Sequence, residues 1–354
     1  MKYVTLKDVC TINMGQSPDS DSYNDNGEGV PFFQGNADFG ERYPVTRKWC
    51  SAPTKMAAPE DILISVRAPI GAMNYAKEEC CIGRGLAALT PDKTKVSPKF
   101  IFWLLKGKNA ELNSKGTGST FKAIGRKVLE ETKVPDISLE KQLEHSETLE
   151  KIYAVIQHRK SELQMLDDLI KARFVEMFNL SDCIYKSLGE CTDFVDYRGH
   201  TPELSDEGII RMVNAKSVGK GFFKYVDEFV TEETYDAWMH RGFGYPGDIL
   251  FVTEGHTFGN TCLIPEDMTK FALGQRVITI KGKEEIKNAF LCSYMQTDMF
   301  WKDINVYRTG GTAQGIRSKD LVKVMVPIPP IEQQIEFVRF VHKVDKSKVV
   351  EIIK

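Results

Sequence analysis

The sequence of 354 residues is long enough for two or three domains, because a single hydrophobic core seldom serves more than about 250 to 300 residues. Its composition, 42% hydrophobic and 27% charged, is typical of a soluble globular protein, and no apolar run of about 18 residues predicts a membrane span. A net charge of -2 excludes binding to nucleic acid through a general basic excess, so any anionic ligand must meet local basic patches.

The first residues and the cysteines indicate the compartment. Residues 1–8 contain no apolar signal region, which predicts an intracellular, cytoplasmic protein. Eight cysteines are scattered along the chain without the paired short spacing of a zinc site. We therefore interpret them as buried, reduced thiols.

The first half of the chain predicts an α+β body followed by one long helix. A β-type run at residues 61–66 is bounded by Gly and Pro, and a helical patch follows near residues 98–113. A Gly-Thr loop at 117–120, a short helix and a Val-Pro stop at 134–135 come next. Residues 139–178 then contain neither Pro nor Gly, which predicts about 60 Å of helix.

The second half predicts the same elements in the same order. A β-type run at 248–253 precedes a helical patch near 286–304, a Gly-Thr loop at 309–312 and a Val-Pro stop at 326–327. A final helix begins at Ile331. Each half is therefore predicted to be α+β with an appended helix.

The two halves are an internal repeat. Thr117-Gly118 aligns without a gap to Thr309-Gly310 at an offset of 192, and the match continues downstream at that offset. The first-half residues that continue it are Ile124, Lys127, Leu129, Val134, Pro135, Glu140 and Gln142. Upstream, residues 59–64 match residues 246–251. We predict two globular domains at 1–138 and 179–330, a central spacer helix at 139–178 and a short distal helix at 331–354.

Both helices carry an apolar ladder with heptad spacing that polar residues interrupt. The central helix presents Leu149, Ile152, Ile156, Leu163, Leu166 and Ile170. The distal helix presents Ile335, Val338, Val349 and Ile352. One interpretation is that each stripe packs on its own globular body. The repeat favours another, in which the two helices pair as an antiparallel coiled coil that holds the bodies a fixed distance apart.

Enzymatic motifs are missing from the sequence. It contains neither a G-x-x-x-x-G-K-[ST] loop nor a G-x-G-x-x-G motif after a strand. Asp248 with Glu285 and Lys287 comes nearest to a metal-dependent nuclease. We interpret this match as accidental, since only Asp248 has a repeat partner, Asp61. We predict no catalytic and no metal-binding residue in this chain.

The two Gly-Thr loops are candidates for contact with nucleic acid. Glycine lets backbone N–H groups approach a phosphate, and hydroxyl and cationic side chains add further donors. The candidate residues are Lys115, Thr117, Ser119 and Lys122 in the first loop, and Arg308, Thr309, Thr312 and Gln314 in the second. The alternative is a pair of surface turns without a ligand.

Polar residues in the divergent middle of each half are candidates for reading base edges. Arg and Lys suit guanine, whereas Asn and Gln suit adenine. The first-half candidates are Gln34, Asn36, Arg67 and Arg84, and the second-half candidates are Asn214, Lys216, His256 and Arg276. Tyr43, Trp49 and Trp238 are candidates for stacking on bases. The alternative for each is an ordinary surface polar group or a core aromatic residue.

The ordered motifs resemble the specificity subunits of type I restriction-modification systems. The resemblance rests on Leu6-Lys7-Asp8-Val9, Pro59-x-Asp61, Thr117-Gly118-Ser119-Thr120, Val134-Pro135 with Glu140 and Gln142, and their second-half counterparts, especially residues 326–334. It spans nearly the whole chain, and the ordered recurrence is more specific than any single motif.

The resemblance implies two target-recognition domains that each read one half of a bipartite, asymmetric site in double-stranded DNA. Between them, an antiparallel coiled coil of two conserved helices would set the unspecified gap. It also implies two methyltransferase subunits that bring S-adenosylmethionine, and restriction subunits that use ATP and Mg²⁺, with no cofactor bound by this chain. The distal helix is shorter than its counterpart, which implies a coil that is shortened or completed by a partner.

Two other classes of function compete with this hypothesis. One is a stand-alone enzyme that modifies or cleaves DNA, and the other is a scaffold that holds two protein partners without contacting DNA. Because the chain is slightly acidic, we expect the recognition subunit to bind DNA weakly by itself and tightly with its methyltransferase partners.

Overall fold

The computed structural model describes residues 2–118, 122–197, 201–310 and 314–353, except for the side chains of Ser181 and of residues 345–353. The chain divides into two compact units, unit 1 (Met1–Gln157) and unit 2 (His158–Lys354). The boundary between them falls inside the long central helix.

Unit 1 contains eleven strands among its described residues. They are β1 (Tyr3–Thr5), β2 (Cys10–Met14), β3 (Tyr23–Asn24), β4 (Val30–Phe33), β5 (Trp49–Cys50), β6 (Met56–Ala57), β7 (Ile62–Ser65), β8 (Met73–Tyr75), β9 (Cys80–Ile82), β10 (Leu86–Pro91) and β11 (Lys133–Pro135). The helices that begin in this unit are α1 (Leu6–Val9), α2 (Pro98–Gly107), α3 (Asn109–Ser114), α4 (Arg126–Glu130) and α5 (Leu139–Met177).

The described part of unit 2 repeats most of these elements. Its strands are β12 (Ile184–Ser187), β13 (Thr192–Asp196), β14 (Ile210–Val213), β15 (Phe229–Val230), β16 (Ile249–Val252), β17 (Thr261–Leu263), β18 (Phe271–Leu273), β19 (Val277–Gly282) and β20 (Met325–Ile328). Its helices are α6 (Leu188–Cys191), α7 (Glu232–Trp238), α8 (Asn288–Tyr294), α9 (Asp298–Val306), α10 (Ser318–Leu321) and α11 (Ile331–Ile353).

The sheet order is the same in both units and confirms the repeat in three dimensions. A four-stranded antiparallel sheet has the order β2-β10-β7-β8 in unit 1 and β13-β19-β16-β17 in unit 2. The short pairs β1-β11 and β12-β20 also correspond. The second sheet differs in size, with the order β3-β5-β4-β9-β6 against β15-β14-β18, but each contains one parallel pair, β4 with β9 and β14 with β18.

The central strand of each four-stranded sheet is buried on both faces. Ile62 and Ile64 of β7 pack in one hydrophobic cluster with helix α2, whereas Leu63 packs in another cluster with the second sheet. In unit 2, Ile249 and Leu250 of β16 divide between two clusters in the same way. Because both faces are covered, these strands form continuous apolar runs in the sequence.

The repeated Pro-x-Asp motif closes the turn that leads into this central strand. The Asp61 carboxylate accepts a hydrogen bond of 2.8 Å from the backbone N–H of Ala58, and Asp248 accepts one of 3.0 Å from Tyr245. Both carboxylates are nearly inaccessible to solvent. Burial raises the pKa of Asp248. The motif is therefore structural.

The repeated glutamine near the start of each long helix attaches that helix to its own unit. In unit 1, the buried Gln142 amide accepts from the N–H of Ser97 at 2.9 Å and donates to the carbonyls of Lys95 and Ile137. In unit 2, Gln334 accepts from the N–H of Lys287 at 2.8 Å and donates to two carbonyls as well. We call each set of three bonds an amide latch.

Aromatic residues attach α5 and α11 to the core of unit 2. Phe174, in the last turn of α5, and Phe178, just after it, make edge-to-face contacts with Phe337 of α11, with ring centroids 5.4 and 5.5 Å apart. All three rings are buried. The guanidinium of Arg173 lies 3.5 Å from the Glu336 carboxylate beside them.

The predicted apolar ladder on α11 lies beside the stripe that is most buried in unit 2. On α11 the buried positions are Gln334, Phe337 and Val344, one residue away from the predicted series, while Ile335 and Val338 are only half-buried. The helical period of 3.6 residues leaves neighbouring stripes similarly apolar, and the bulky phenyl ring of Phe337 occupies the core. The side chains of Val349 and Ile352 lie outside the described residues.

The predicted ladder on α5 is exposed in its first half. Leu149, Ile152 and Ile156 are 40%, 51% and 46% exposed. The later members are half-buried, namely Leu163, Leu166 and Ile170, and Ile170 packs against the core of unit 2. Within unit 2, the described contacts of α5 with the globular core therefore come from its last turns. A coiled coil along the helix remains a prediction.

Unit 1 holds the first part of α5 with a cationic and aromatic cluster around Arg42. The guanidinium forms an ion pair with Glu150 of α5 and lies within 6.0 Å of four ring centroids. Those rings belong to Tyr75, Phe102, Trp103 and Tyr153. Trp103 donates a second hydrogen bond to Glu150 at 2.8 Å. The loop that carries Arg42 is thus tied to the helix.

Candidate nucleic-acid interface

Backbone hydrogen bonds bring five of the first-half candidates together. The carbonyl of Phe33, beside Gln34, accepts from Gly83, and the carbonyl of Gly85 accepts from Val66 at 2.9 Å. The segment that carries Lys122 is attached to Arg67 by its neighbour Ala68, whose backbone N–H donates to the carbonyl of Lys122 at 3.0 Å. We define the resulting row as the first polar edge: Gln34, Arg84, Arg67, Lys122 and Thr117.

The same chain of bonds recurs in unit 2. Gly274 donates to Val213, beside Asn214, and the N–H of Thr253 donates to the carbonyl of Arg276 at 2.8 Å. Gly255 donates to Gln314 at 2.9 Å. We define the second polar edge as Asn214, Arg276, Glu254, Gln314 and Thr309.

The two Gly-Thr loops close in the same way on their edges. Thr117 exchanges two backbone hydrogen bonds with Ala123, and Thr309 exchanges two with Gly315. Ala123 also bridges to Arg67, and Gly315 bridges to Glu254. The loops thus lie beside the end of the central strand in each unit. The loop residues Ser119 and Thr312 lie outside the described residues.

Most positions of the two edges correspond, although Arg276 is equivalent to Gly85 and not to its neighbour Arg84. Gln34 corresponds to Asn214, and Asn36 corresponds to Lys216, since each pair follows the equivalent strand β4 or β14. Arg67, however, corresponds to Glu254. An exposed cation of unit 1 is therefore replaced by an exposed anion in unit 2.

The first polar edge presents unpaired cations. Arg67, Arg84 and Lys122 are exposed, and the described residues offer none of the three side chains a hydrogen-bond or ion-pair partner. Gln34 is held by Ser17, to which its amide donates at 2.9 Å. Free cations beside a fixed amide can bind phosphates and base edges.

Two other candidates of unit 1 flank this edge. Asn36 is half-buried in the turn after β4. Lys115 lies 2.6 Å from the carboxylate of Glu111. Hydrogen bonds from Lys108 and Lys115 lower the pKa of Glu111 to about 2. The Lys115 ammonium is therefore already paired with Glu111, one helical turn earlier in the chain.

The second polar edge has its charges paired. Nε of Arg276 donates to Glu254 at 3.1 Å. Asn214 donates to Glu228 at 2.6 Å, and Lys216 forms an ion pair with the same carboxylate. The hydrogen bond from Lys216 lowers the pKa of Glu228.

The remaining candidates of unit 2 lie around this edge. His256 and Arg308 are exposed, and Arg308 donates to the side chain of Asn305 at 3.2 Å. The hydroxyl of Thr309 donates to the carbonyl of Gly315 at 3.3 Å. Sequence reasoning missed Glu228 and Glu254, because nothing in a linear pattern pairs them with Asn214 and Arg276.

Two of the three aromatic candidates are integrated into the fold. The indole N–H of Trp238 donates to the carbonyl of Leu273 at 2.8 Å and packs beside the core. Trp49 is half-buried in strand β5. Tyr43 alone among the three is largely exposed, at 50%.

The two carboxylates that come nearest to a metal-dependent nuclease, Asp248 and Glu285, are both bound by other residues of the fold. Asp248 accepts from Tyr245 and Asn288, whereas Glu285 forms an ion pair with Lys186. Among the described residues, no group of three or more His, Cys, Asp or Glu side chains is placed to hold a metal ion.

Comparison with known proteins assigns the chain to a family. Residues 1–165 and 193–354 match the type I restriction modification DNA specificity domain. The chain belongs to the type I restriction-modification specificity family. The resemblance predicted from the motifs is thereby confirmed.

Two members of the family match part of the chain at 44% and 45% identity. The putative type I restriction enzyme MjaX specificity subunit of Methanocaldococcus jannaschii is 44% identical over 156 residues, which are 44% of this chain and 37% of that protein. The HsdS subunit from Thermoanaerobacter tengcongensis is 45% identical over 43% of this chain and 37% of its own, with a TM-score of 0.40. The chain thus spans less than two fifths of the length of these two relatives.

A more distant structure covers the whole fold. The S subunit of a type I restriction-modification system from M. genitalium aligns over 99% of this chain and 90% of its own, with a TM-score of 0.56 and 16% identity. The likeness shows a shared fold of mixed helix and strand. In the described ranges, every helix is too short or too polar to cross a membrane.

Proposed function

We propose that this chain is the sequence-specific DNA-binding subunit of a type I restriction-modification complex. Each polar edge reads one half of a bipartite, asymmetric target in double-stranded DNA. The observation that carries the proposal is the duplicated polar edge, built by the same backbone bonds in both units of a specificity-family chain. The two edges carry different side chains, so the two half-sites differ in sequence.

The chain itself is proposed to be non-catalytic. Two methyltransferase subunits supply S-adenosylmethionine chemistry, and restriction subunits supply cleavage that depends on ATP and Mg²⁺. The chain's own contribution is to place these subunits at the target. The net charge of -2 supports such a division of labour, because phosphate contacts from this chain alone give little affinity.

The long helices are proposed to act as the spacer. Helix α5 and helix α11 pair antiparallel as a coiled coil that fixes the gap between half-sites. The Phe174–Phe337 contact supports this role at one end, since it places the last turns of α5 against the first turns of α11. The amide latches support it further, because each ties one helix to its own unit.

Methylation mapping in cells that carry this chain with its partner subunits tests the proposal. The expected result is one target with two specified parts and a fixed gap. Replacing residues 1–138 by the corresponding part of another specificity subunit should change one half-site and leave the other intact. An unaltered target after the exchange would favour a scaffold, and methylated or cut DNA from the purified chain alone would favour an enzyme.

An insertion tests the spacer separately. Four residues added after Gln157 lengthen a helix by about 6 Å, close to two base-pair rises. The gap should lengthen while both half-sites remain the same. An unchanged gap would exclude the spacer role without affecting the assignment of the half-sites.

A further inference from the structure

Arg276 occupies a backbone conformation that arginine rarely adopts. Its φ is 72°, in the left-handed region that disfavours residues with a Cβ atom. It lies in the turn between β18 and β19, where the equivalent residue of unit 1 is Gly85. Strained backbone of this kind persists where the surrounding structure holds it, and it is concentrated at functional sites.

Glu254 binds the Arg276 guanidinium only at its Nε edge. The carboxylate accepts the N–H of Nε at 3.1 Å, and no described residue pairs with the terminal nitrogens Nη1 and Nη2. The two side chains are 53% and 57% exposed. A surface ion pair at this exposure adds little stability, so stability does not explain why the strained residue is an arginine.

The position of Glu254 is itself fixed by close packing. The backbone of Gly315 bridges to Glu254, and a Cβ atom at residue 315 would lie 2.9 Å from the Glu254 Cβ and 3.0 Å from the Thr253 carbonyl. Glycine at residue 315 therefore leaves room for the Glu254 side chain in this arrangement. Unit 1 has Ala123 and Arg67 at the equivalent positions.

The free end of the Arg276 guanidinium has the geometry of a base reader. Two parallel N–H donors on a planar fork match the O6 and N7 acceptors of guanine, and a single-point cation such as lysine cannot reproduce that match. The carboxylate on Nε restricts the rotation of the fork. Arg276 is further joined by backbone bonds to the rest of the second polar edge.

We propose that Arg276 reads a guanine in the half-site bound by unit 2, and that Glu254 is its positioning residue. The terminal nitrogens donate two hydrogen bonds to O6 and N7 of that guanine in the major groove. The inference rests on the proposed function, since it specifies what one of the two polar edges recognises.

The test uses the full chain in complex with its methyltransferase partners on a library of randomised duplexes, with the methylated fraction sequenced. Arg276→Lys keeps the charge and removes the fork. We expect preference for guanine at one position of one half-site to fall about tenfold or more, with the other half-site unchanged. Glu254→Gln retains an acceptor for Nε and should cause a smaller loss at the same position.

Two further variants separate recognition from folding. Arg276→Gly removes the reader and relieves the backbone, so the melting temperature should not fall although the guanine preference is lost. Arg339→Lys makes the same chemical change at an exposed residue of α11 and should leave every position unchanged.

The outcomes distinguish this inference from the proposed function. A wild-type complex with no bipartite target would refute the proposed function. A bipartite target that Arg276→Lys leaves unchanged overturns the inference alone. An equal loss of affinity for all sequences would also overturn it, because that result indicates a phosphate contact. Loss of preference at a position where the wild type does not prefer guanine would overturn it as well.

Discussion

Replacing Gln334 by leucine measures what an amide latch contributes to stability. Gln334 is fully buried and forms three hydrogen bonds, with the N–H of Lys287 and with the carbonyls of Glu285 and Pro329. Leucine has a similar volume and none of these groups. The substitution therefore leaves one part-buried donor and two acceptors, one part-buried and one buried, without their partner.

The expected loss follows from these three groups. An orphaned donor costs about 1–3 kcal/mol according to how far it is buried, and each carbonyl loses a bond of about 1 kcal/mol. Leucine recovers roughly 1 kcal/mol by burying more apolar surface. The net decrease in the free energy of unfolding is therefore about 2–4 kcal/mol, or roughly 5–15 °C in melting temperature for a unit of this size.

Urea unfolding followed by tryptophan fluorescence measures the change, and amide hydrogen exchange at Lys287 localises it. Gln333→Leu is the matched control, because its exposed side chain lies one residue earlier on the same helix turn. Exchange at Lys287 should accelerate only in the Gln334 variant. If the two variants unfold within about 1 kcal/mol of each other, the latch does not hold the helix.

Three other changes test single features of the fold. Arg42→Ala should lower the free energy of unfolding by about 2–4 kcal/mol, since it leaves a half-buried carboxylate without its cation, whereas exposed Lys151→Ala should change it by under about 0.5 kcal/mol. Glu111, whose pKa is lowered to about 2, stabilises the fold above pH 4.5 and loses that contribution as the pH falls toward 2. The stability difference between wild type and Glu111→Gln, measured by thermal unfolding, should therefore shrink as the pH falls below 4.5 and vanish only below pH 2. Cys183 is half-buried while the other seven cysteines are buried, so Cys183→Ser should remove the fastest-reacting thiol towards a disulfide reagent at pH 8.

The sequence by itself determined the repeat, the order of the elements and the family. These features were readable because local residues produce them. Asp61 and Asp248 close turns within three residues, and Gln142 and Gln334 occupy the same position after each Val-Pro stop. A residue that is required by a local turn or latch recurs at a fixed spacing in both halves.

The composition of each polar edge was decided only by the tertiary structure. Glu254 pairs with Arg276 across 22 residues, and Arg42 pairs with Glu150 across 108. Such pairs leave no periodic pattern in the sequence, because their spacing depends on how the sheets bring distant loops together. On α11 the most buried stripe lies one residue from the predicted ladder for a related reason. Heptad spacing identifies an apolar face, but the position of the Phe337 ring among its neighbours selects which stripe is buried.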